Sequence, residues 1–267
     1  MQKRVMTAVV GLPILFALLY LGGYFLFTAC LVLSAIGLFE FSNAMNRRLE
    51  HKINFTFMVI LSTIILISMK FDYYSLMPTF MIVLITVFCF EILNGKTDIY
   101  RGMASVFGLI YIPVMFGYLL LFENIKSGVY YLWMVFIIAF ATDTAAYFVG
   151  RAIGKRKLAP KISPKKTIAG AIAGIITAAV MMILYGLILK FGFQIELPFY
   201  YYAVAGFIGS IAGQCGDLTA SMIKRKMEIK DFGRCLPGHG GILDRFDSIL
   251  FIIPLIYIFA IYTAGII

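Results

Sequence analysis

Long apolar runs separated by short charged segments constrain this chain more than any other feature of its sequence. Of its 267 residues, 62% are hydrophobic and 13% are charged. A helix needs about 20 apolar residues to cross the hydrocarbon core of a bilayer, and many runs reach that length. The runs lack the alternation of a transmembrane barrel, and an open sheet leaves its edges unpaired in lipid. The sequence therefore predicts an all-α polytopic membrane protein and excludes a soluble domain.

Charged residues divide the chain into nine predicted transmembrane helices. Only Gly22 and Gly23 separate the first two, and we expect a tight hairpin there, because a single helix would be too long for one crossing. The alternative is one long broken helix. The predicted spans cover roughly residues 5–21, 24–45, 53–69, 74–93, 102–122, 129–150, 168–189, 197–221 and 248–266.

The distribution of basic residues predicts the orientation of the chain. With the amino terminus in the cytoplasm, all but three of the 23 lysine and arginine residues fall in cytoplasmic loops, as the positive-inside rule requires. The exceptions are Lys70, Lys126 and Lys190. We attribute the net charge of +10 to loops that face anionic lipid. Basic residues dispersed over separate loops do not indicate a nucleic-acid partner, and the sequence leaves homo-oligomerisation open.

We interpret the chain as a single integral membrane domain, residues 1–267, in the cytoplasmic membrane of a cell. Residues 1–128 form N-terminal apolar spans, and residues 129–267 form the C-terminal catalytic part. Two enlarged cytoplasmic loops, 151–167 and 222–247, are where we expect the chemistry. The four cysteines lack the spacing of a zinc site and predict no structural disulfide.

The second loop combines glycines with a carboxylate pair. Gly238, Gly240 and Gly241 flank His239 ahead of a predicted helix, and backbone N–H groups at a helix start bind phosphate. Asp244 and Asp247 lie three residues apart, which places them on one helical face, and carboxylates suit a hard cation such as Mg²⁺. The simpler alternative is that both aspartates stabilise the positive end of the last helix.

Two further aspartates, Asp143 and Asp217, lie inside predicted spans near their cytoplasmic ends. Ionisable groups in spans usually mark a pathway or a site; the alternative is an interfacial carboxylate that pairs with Arg151 or Lys224. Four carboxylates at one membrane depth predict a cation site. The segment SPKKT, residues 163–167, precedes the seventh span in a strongly basic loop but lacks the spacing of a P-loop. Its lysines either contact substrate or anchor the helix to headgroups.

These segments together resemble the phosphatidate cytidylyltransferases, also called CDP-diacylglycerol synthases. The resemblance covers residues 140–250, whereas the first five spans match only in being apolar. The residues that carry it are Asp143 through Arg151, SPKKT at 163–167, Gly216-Asp217-Leu218, Ser221-x-x-Lys224-Arg225, Lys230-Asp231-x-Gly233, Pro237-x-His239-Gly240-Gly241 and Asp244-Arg245-x-Asp247. Ala169 departs from the Glu or Gln that relatives often carry there, and Ala220 departs from the Glu that many carry before Ser221.

The resemblance implies that CTP and phosphatidic acid react to give CDP-diacylglycerol and pyrophosphate. Mg²⁺ is then held by Asp217, Asp244 and Asp247, with Asp143 nearby or on a second cation. Lys165 and Lys166 contact the triphosphate or the lipid headgroup, and Lys224 and Arg225 hold the lipid phosphate. His239, Gly240 and Gly241 shape the triphosphate turn. The remaining residues expected to bind substrate are Ser163, Thr167, Ser221, Lys230, Asp231 and Arg245.

Two other functions remain as alternatives. An ion-coupled transporter would relay cations through Asp143 and Asp217, but the sequence contains no convincing second copy of the segments that carry them, as an inverted repeat would require. Another CTP-using lipid enzyme, such as a polyprenol kinase, is the runner-up among enzymes. The CDP-alcohol phosphotransferases use a different aspartate spacing and an Ala-Arg pair that this chain lacks.

Overall fold

The computed structural model describes residues 11, 13, 16–71, 75–94, 98–195, 197–235 and 240–264. These residues form helices and one short β-hairpin. In chain order they are α1 (Gly23–Met45), α2 (Phe55–Phe71), α3 (Leu76–Leu93), α4 (Ile99–Asn124), α5 (Gly128–Ile153), β1 (Lys157–Ala159), β2 (Ser163–Thr167), α6 (Ile168–Phe193), α7 (Phe199–Lys226) and α8 (Leu243–Ala264).

Among the described residues, six helices are long and apolar enough to cross a membrane: α1, α3, α4, α5, α6 and α8. Helix α2 is apolar but has 17 residues, and α7, with 28 residues, is not in this set. The prediction of an all-α polytopic membrane protein is therefore confirmed. The count of nine spans and the cytoplasmic amino terminus stay predictions, since most of the first predicted span lies outside the described residues.

Helix α1 begins at the predicted glycine break. Gly22 and Gly23 have φ angles of 57° and 54°, a left-handed backbone that glycine adopts without steric cost. Gly23 N–H donates to Oε1 of Glu123 over 2.6 Å, which fixes the start of α1 against the end of α4. The predicted hairpin at this break stays a prediction, because residues 1–10 lie outside the described chain.

The chain divides into two compact units, and both are discontinuous in sequence. The first contains residues up to Glu123 together with Lys224–Phe246, and the second contains Asn124–Ile223 and the residues from Asp247 onward. In the first unit α1, α2 and α4 enclose a core of large apolar side chains. Phe41 packs against Gly108, and Leu66 and Met69 pack against Gly117.

Helix α4 changes its winding in its middle. Residues Ile110–Val114 form a π-helical turn that contains Pro113, because proline offers no N–H and cannot continue the regular α-helical ladder. Asp98 caps the start of α4 by accepting from the N–H groups of Tyr100 and Arg101. The Arg101 guanidinium in turn pairs with Glu91 of α3, and both side chains are buried. This pair pins α3 to α4.

The second unit is held together by small residues that let helix backbones approach. Gly170 and Gly174 of α6 face the carbonyl groups of Ala146 and Thr142 on α5, and Gly206 of α7 faces that of Ala178. Such close approach is typical of helix packing in membranes. Hydroxyl groups add links: Thr142 donates to Ser210 over 2.8 Å.

Helix ends and a β-hairpin occupy parts of the two loops predicted at 151–167 and 222–247. Strands β1 and β2 pair antiparallel, with Lys157 opposite Thr167 and Ala159 opposite Ser163. Helix α7 continues to Lys226, since a helix carboxyl end favours positive charge, and its last turn holds three basic residues. The division at residue 128 into an N-terminal and a catalytic part stays a prediction.

Candidate active site

In the first unit, Asp244 is the centre of a polar cluster at the start of α8. Its side chain is 3% exposed, and Oδ1 accepts from Nζ of Lys224 over 2.7 Å. Oδ2 accepts from the N–H groups of Phe232 and Gly241 over 2.8 and 3.0 Å. The Lys224 ammonium also lies 5.4 Å from the ring centroid of Phe232, within cation–π range. Three donors thus hold this carboxylate in one orientation.

The predicted glycine turn approaches the same carboxylate. Gly240 has a φ of +85°, and a Cβ there would lie 3.0 Å from Oδ2 of Asp244. A side chain at this position would therefore be strained and crowded, which accounts for the glycine. Gly238 and His239, both predicted to shape a triphosphate turn, lie outside the described residues.

Glu40 of α1 also belongs to this cluster, although it was not among the predicted site residues. Its carboxylate is 3% exposed and accepts from the N–H groups of Ile242 and Leu243, each over 3.0 Å. One sequence signal could have found it: a single ionisable residue inside an apolar span is a functional candidate. Its partners, about two hundred residues away, could not be read from the sequence.

In the second unit, the Lys166 ammonium forms an ion pair with Asp217, and both side chains are partly exposed. Ser221, one turn further along α7, donates to Oδ1 of Asp217 over 3.4 Å. Two of the predicted substrate-binding segments, SPKKT and the Asp217 segment, therefore meet through side chains. The structure gives Asp217 a partner other than Arg151 or Lys224, which the sequence analysis considered.

The β-hairpin and a helix cap place Lys166. Thr167, at the end of β2, is the N-cap of α6: its Oγ1 accepts from the N–H of Gly170 over 3.2 Å. Gly150 lies in α5, and Gly154 follows its carboxyl end. Both glycines pack directly against Oγ1 of Thr167, so a Cβ at either position would overlap that oxygen. The residue after Lys166 is thus fixed by three glycines. Lys165, by contrast, is exposed on the hairpin.

The α7–α8 contact brings two further predicted positions together. Gly216 packs against the backbone carbonyl of Asp247 and against the ring of Phe251, so Asp217 and Asp247 lie on neighbouring helices. The Asp247 side chain is half-buried, and its Oδ1 accepts from the N–H of Ser248 over 2.8 Å.

The other predicted site residues are mostly at the surface. Ser163 is half-buried in β2. The exposed ones are Asp143 of α5, Arg225 of α7, Lys230, Asp231 and Arg245. Within the part of the chain that the structure describes, no group of three or more His, Cys, Asp or Glu side chains is arranged to hold a metal ion. The cation site predicted from the four aspartates therefore stays a prediction.

The fold and these clusters define a helical membrane protein with lysine–aspartate pairs next to glycine-rich turns, an arrangement suited to anionic phosphates. Comparison with known proteins identifies the class. The model of the cytidylyltransferase family matches residues 2–263, and this chain belongs to that family.

Similar proteins cover almost the whole chain. A phosphatidate cytidylyltransferase of Bacillus subtilis (strain 168) is 33% identical in an alignment of 264 positions that covers 96% of each chain. One of Staphylococcus haemolyticus (strain JCSC1435) is 33% identical over 262 residues, 98% of this chain and 99% of the relative. One of Staphylococcus aureus (strain COL) is 40% identical over 147 residues, 55% of each chain. The family resemblance predicted from the sequence is therefore confirmed.

Proposed function

We propose that this chain transfers the cytidylyl group of CTP to phosphatidic acid and so makes CDP-diacylglycerol for phospholipid synthesis. The observation that carries this function is the near-complete match to relatives named phosphatidate cytidylyltransferase. Both described clusters lie within residues 2–263, the range that the family model matches.

The reaction needs little acid–base chemistry. A phosphate oxygen of phosphatidic acid attacks the α-phosphorus of CTP, the bond from the α-phosphorus to the bridging oxygen breaks, and pyrophosphate leaves with that oxygen. The second pKa of a phosphate monoester is about 6, so the nucleophile is already largely a dianion at neutral pH. Catalysis then consists of bringing two anions together and stabilising the leaving charge. Positive side chains and backbone N–H groups supply both effects.

The residues divide into two roles in this proposal. Lys166, with the neighbouring Lys165, Ser163 and Thr167, binds the triphosphate, and its ammonium leaves Asp217 for a phosphate oxygen when CTP arrives. Lys224 and Arg225 bind the phosphate of phosphatidic acid. Further substrate contacts are assigned to Ser221, Lys230, Asp231, His239, Gly240, Gly241 and Arg245.

The oxygen donors of the second unit fit Mg²⁺, which proteins usually hold by one or two carboxylates together with substrate phosphates. Asp217, with the Ser221 hydroxyl beside it, and Asp247 on the adjoining helix would hold the ion. Bound Mg²⁺ would neutralise charge on the CTP phosphates. Asp244, which accepts from Lys224 and two N–H groups, stays an expected ligand of the ion. Asp143 remains assigned to a second cation.

The bilayer both holds the protein and delivers its lipid substrate. We propose a multi-pass protein of the bacterial cell membrane, with nine spans, a cytoplasmic amino terminus and the active site on the cytoplasmic side. Cytosolic CTP and the basic residues of the predicted cytoplasmic loops support this orientation.

The function is tested by measuring pyrophosphate release from purified protein in detergent with phosphatidic acid, Mg²⁺ and each of the four ribonucleoside triphosphates in turn. We expect release only with CTP, and only when lipid and Mg²⁺ are both present. Chelation with EDTA should stop release, and added Mg²⁺ should restore it. No release from folded protein would contradict the proposal, and cation flux into liposomes without CTP would favour a transporter.

A further inference from the structure

The carboxylate of Glu40 caps a helix to which it does not belong. The carbonyl of Ile242 accepts the first helical hydrogen bonds of α8, from the N–H groups of Arg245 and Phe246 over 3.0 and 3.1 Å. The N–H groups of Ile242 and Leu243 have no partner inside the helix, as is usual for a helix start. Glu40 supplies both missing acceptors. A negative charge there is also favoured by the helix dipole.

The loop before α8 is shaped around this carboxylate. A Cβ at Gly233 or at Gly241 would overlap the carboxylate group of Glu40. The backbone therefore passes close to Glu40 at Gly233 and again at Gly241. Only glycine leaves room at these two positions. The same loop is also held by Asp244, which accepts from the N–H groups of Phe232 and Gly241. Two buried carboxylates thus fix both described ends of the loop.

We propose that Glu40 is a positioning residue for the reaction: it fixes residues 241–243 and, through them, the orientation of Asp244. This inference rests on the proposed function, which places Gly241 and Asp244 in the site. Glutamine has the size of glutamate but one acceptor oxygen in place of two. Its amide N–H group would face the N–H of Ile242 or Leu243, and one of these buried donors would lose its acceptor.

The test compares Glu40→Gln and Glu40→Ala with Glu91→Gln in the full-length protein. Glu91 is the matched control, because it is also a buried glutamate of the N-terminal helices, but its carboxylate pairs with Arg101 of α4. Kinetics with CTP and phosphatidic acid give kcat and KM. Amide hydrogen exchange, read by mass spectrometry on peptides that cover residues 240–246, reports the cap directly and requires no activity.

We expect exchange at Ile242 and Leu243 to accelerate roughly tenfold in Glu40→Gln, as one charge-assisted hydrogen bond is lost. We expect kcat/KM for CTP to fall about 10- to 100-fold, the usual effect of losing an outer partner of a site. Glu40→Ala should be more severe in both measurements. Glu91→Gln should lower thermal stability while leaving the KM for CTP and the exchange of this peptide unchanged.

The outcomes separate the two proposals. No turnover by the wild-type protein would overturn the proposed function, whatever the exchange data show. An active wild type together with normal kinetics in Glu40→Gln would overturn the positioning role of Glu40. Unchanged exchange in Glu40→Gln and Glu40→Ala would overturn the cap itself. If Glu40→Ala does not fold, the nearly isosteric Glu40→Gln still tests both the cap and the positioning role of Glu40.

Discussion

Lys224 donates a hydrogen bond over 2.7 Å to Oδ1 of Asp244, whose Oδ2 already accepts two backbone N–H groups. The pair joins the last turn of α7 to the first turn of α8, and the side chains are only 13% and 3% exposed. Because both charges are largely withdrawn from water, each depends on the other. The pair is therefore structural as well as a candidate phosphate contact.

Removal of the lysine should destabilise the protein strongly. Breaking a buried pair leaves an uncompensated charge and typically costs about 3–5 kcal/mol. We expect Lys224→Met to lower the thermal midpoint in detergent well below that of Lys226→Met, since Lys226 is an exposed lysine in the same last turn. The double variant Lys224→Met/Asp244→Asn should recover part of the loss. Equal midpoints for the two lysine variants would contradict a structural role for the pair.

Asp217→Asn should abolish turnover but leave the fold intact. The Asp217 side chain is 30% exposed, and ion pairs near the surface contribute only about 0–1 kcal/mol. We expect pyrophosphate release to fall at least about 100-fold, the scale of lost electrostatic stabilisation in active sites. Glu228→Gln, in an exposed ion pair with Arg48, is the control and should keep its activity.

A charge swap distinguishes the effect of the ion pair between Lys166 and Asp217 from the chemical role of the Asp217 carboxylate. Lys166→Asp/Asp217→Lys restores an ion pair but moves the carboxylate to β2. A thermal midpoint close to that of the wild type, without turnover, is the expected result. Turnover in the swapped variant would show that an ion pair between these two positions suffices for activity, whichever position carries the carboxylate.

The cap of α6 should affect both stability and CTP binding. Thr167→Val keeps the shape of the side chain but removes the acceptor for Gly170 N–H, and loss of an N-cap costs about 1 kcal/mol. Since Lys166 is the preceding residue, we also expect a higher KM for CTP. Thr167→Ser should restore both properties in melting and kinetic assays, and a serine variant as impaired as the valine variant would disprove the cap.

Two glycine-to-alanine variants should differ sharply. Gly241→Ala places a methyl group into the Glu40 carboxylate, whereas a Cβ at Gly192 meets nothing within 4 Å. Overpacking a buried site typically costs about 1–3 kcal/mol, so Gly241→Ala should lower the thermal midpoint and pyrophosphate release. Gly192→Ala should leave both unchanged or raise stability slightly, because it replaces a helical glycine. Similar losses in both variants would contradict the close packing at Gly241.

The helical class followed from the sequence, because long apolar runs separated by charged breaks are typical of membrane-spanning helices. The pairing of the predicted site residues did not follow. Lys166 and Asp217 were both predicted as site residues. Their contact depends on a β-hairpin whose strands have only three and five residues, too few for the alternation of polar and apolar residues that predicts a strand. Glu40 was missed for a related reason: its donors are backbone N–H groups, which carry no residue signature.

The cap on α8 also has a consequence for the order in which the protein is made. Glu40 is synthesised and inserted in α1 long before residues 241–243 leave the ribosome. Until then its carboxylate lacks the N–H groups that it meets in the finished protein, and an unpaired charge within a span is costly. The first compact unit, which includes Lys224–Phe246, can therefore close only after these residues have been synthesised. A nascent chain that stops before residue 241 contains every residue of α1 to α4 and still cannot complete the packing around Glu40.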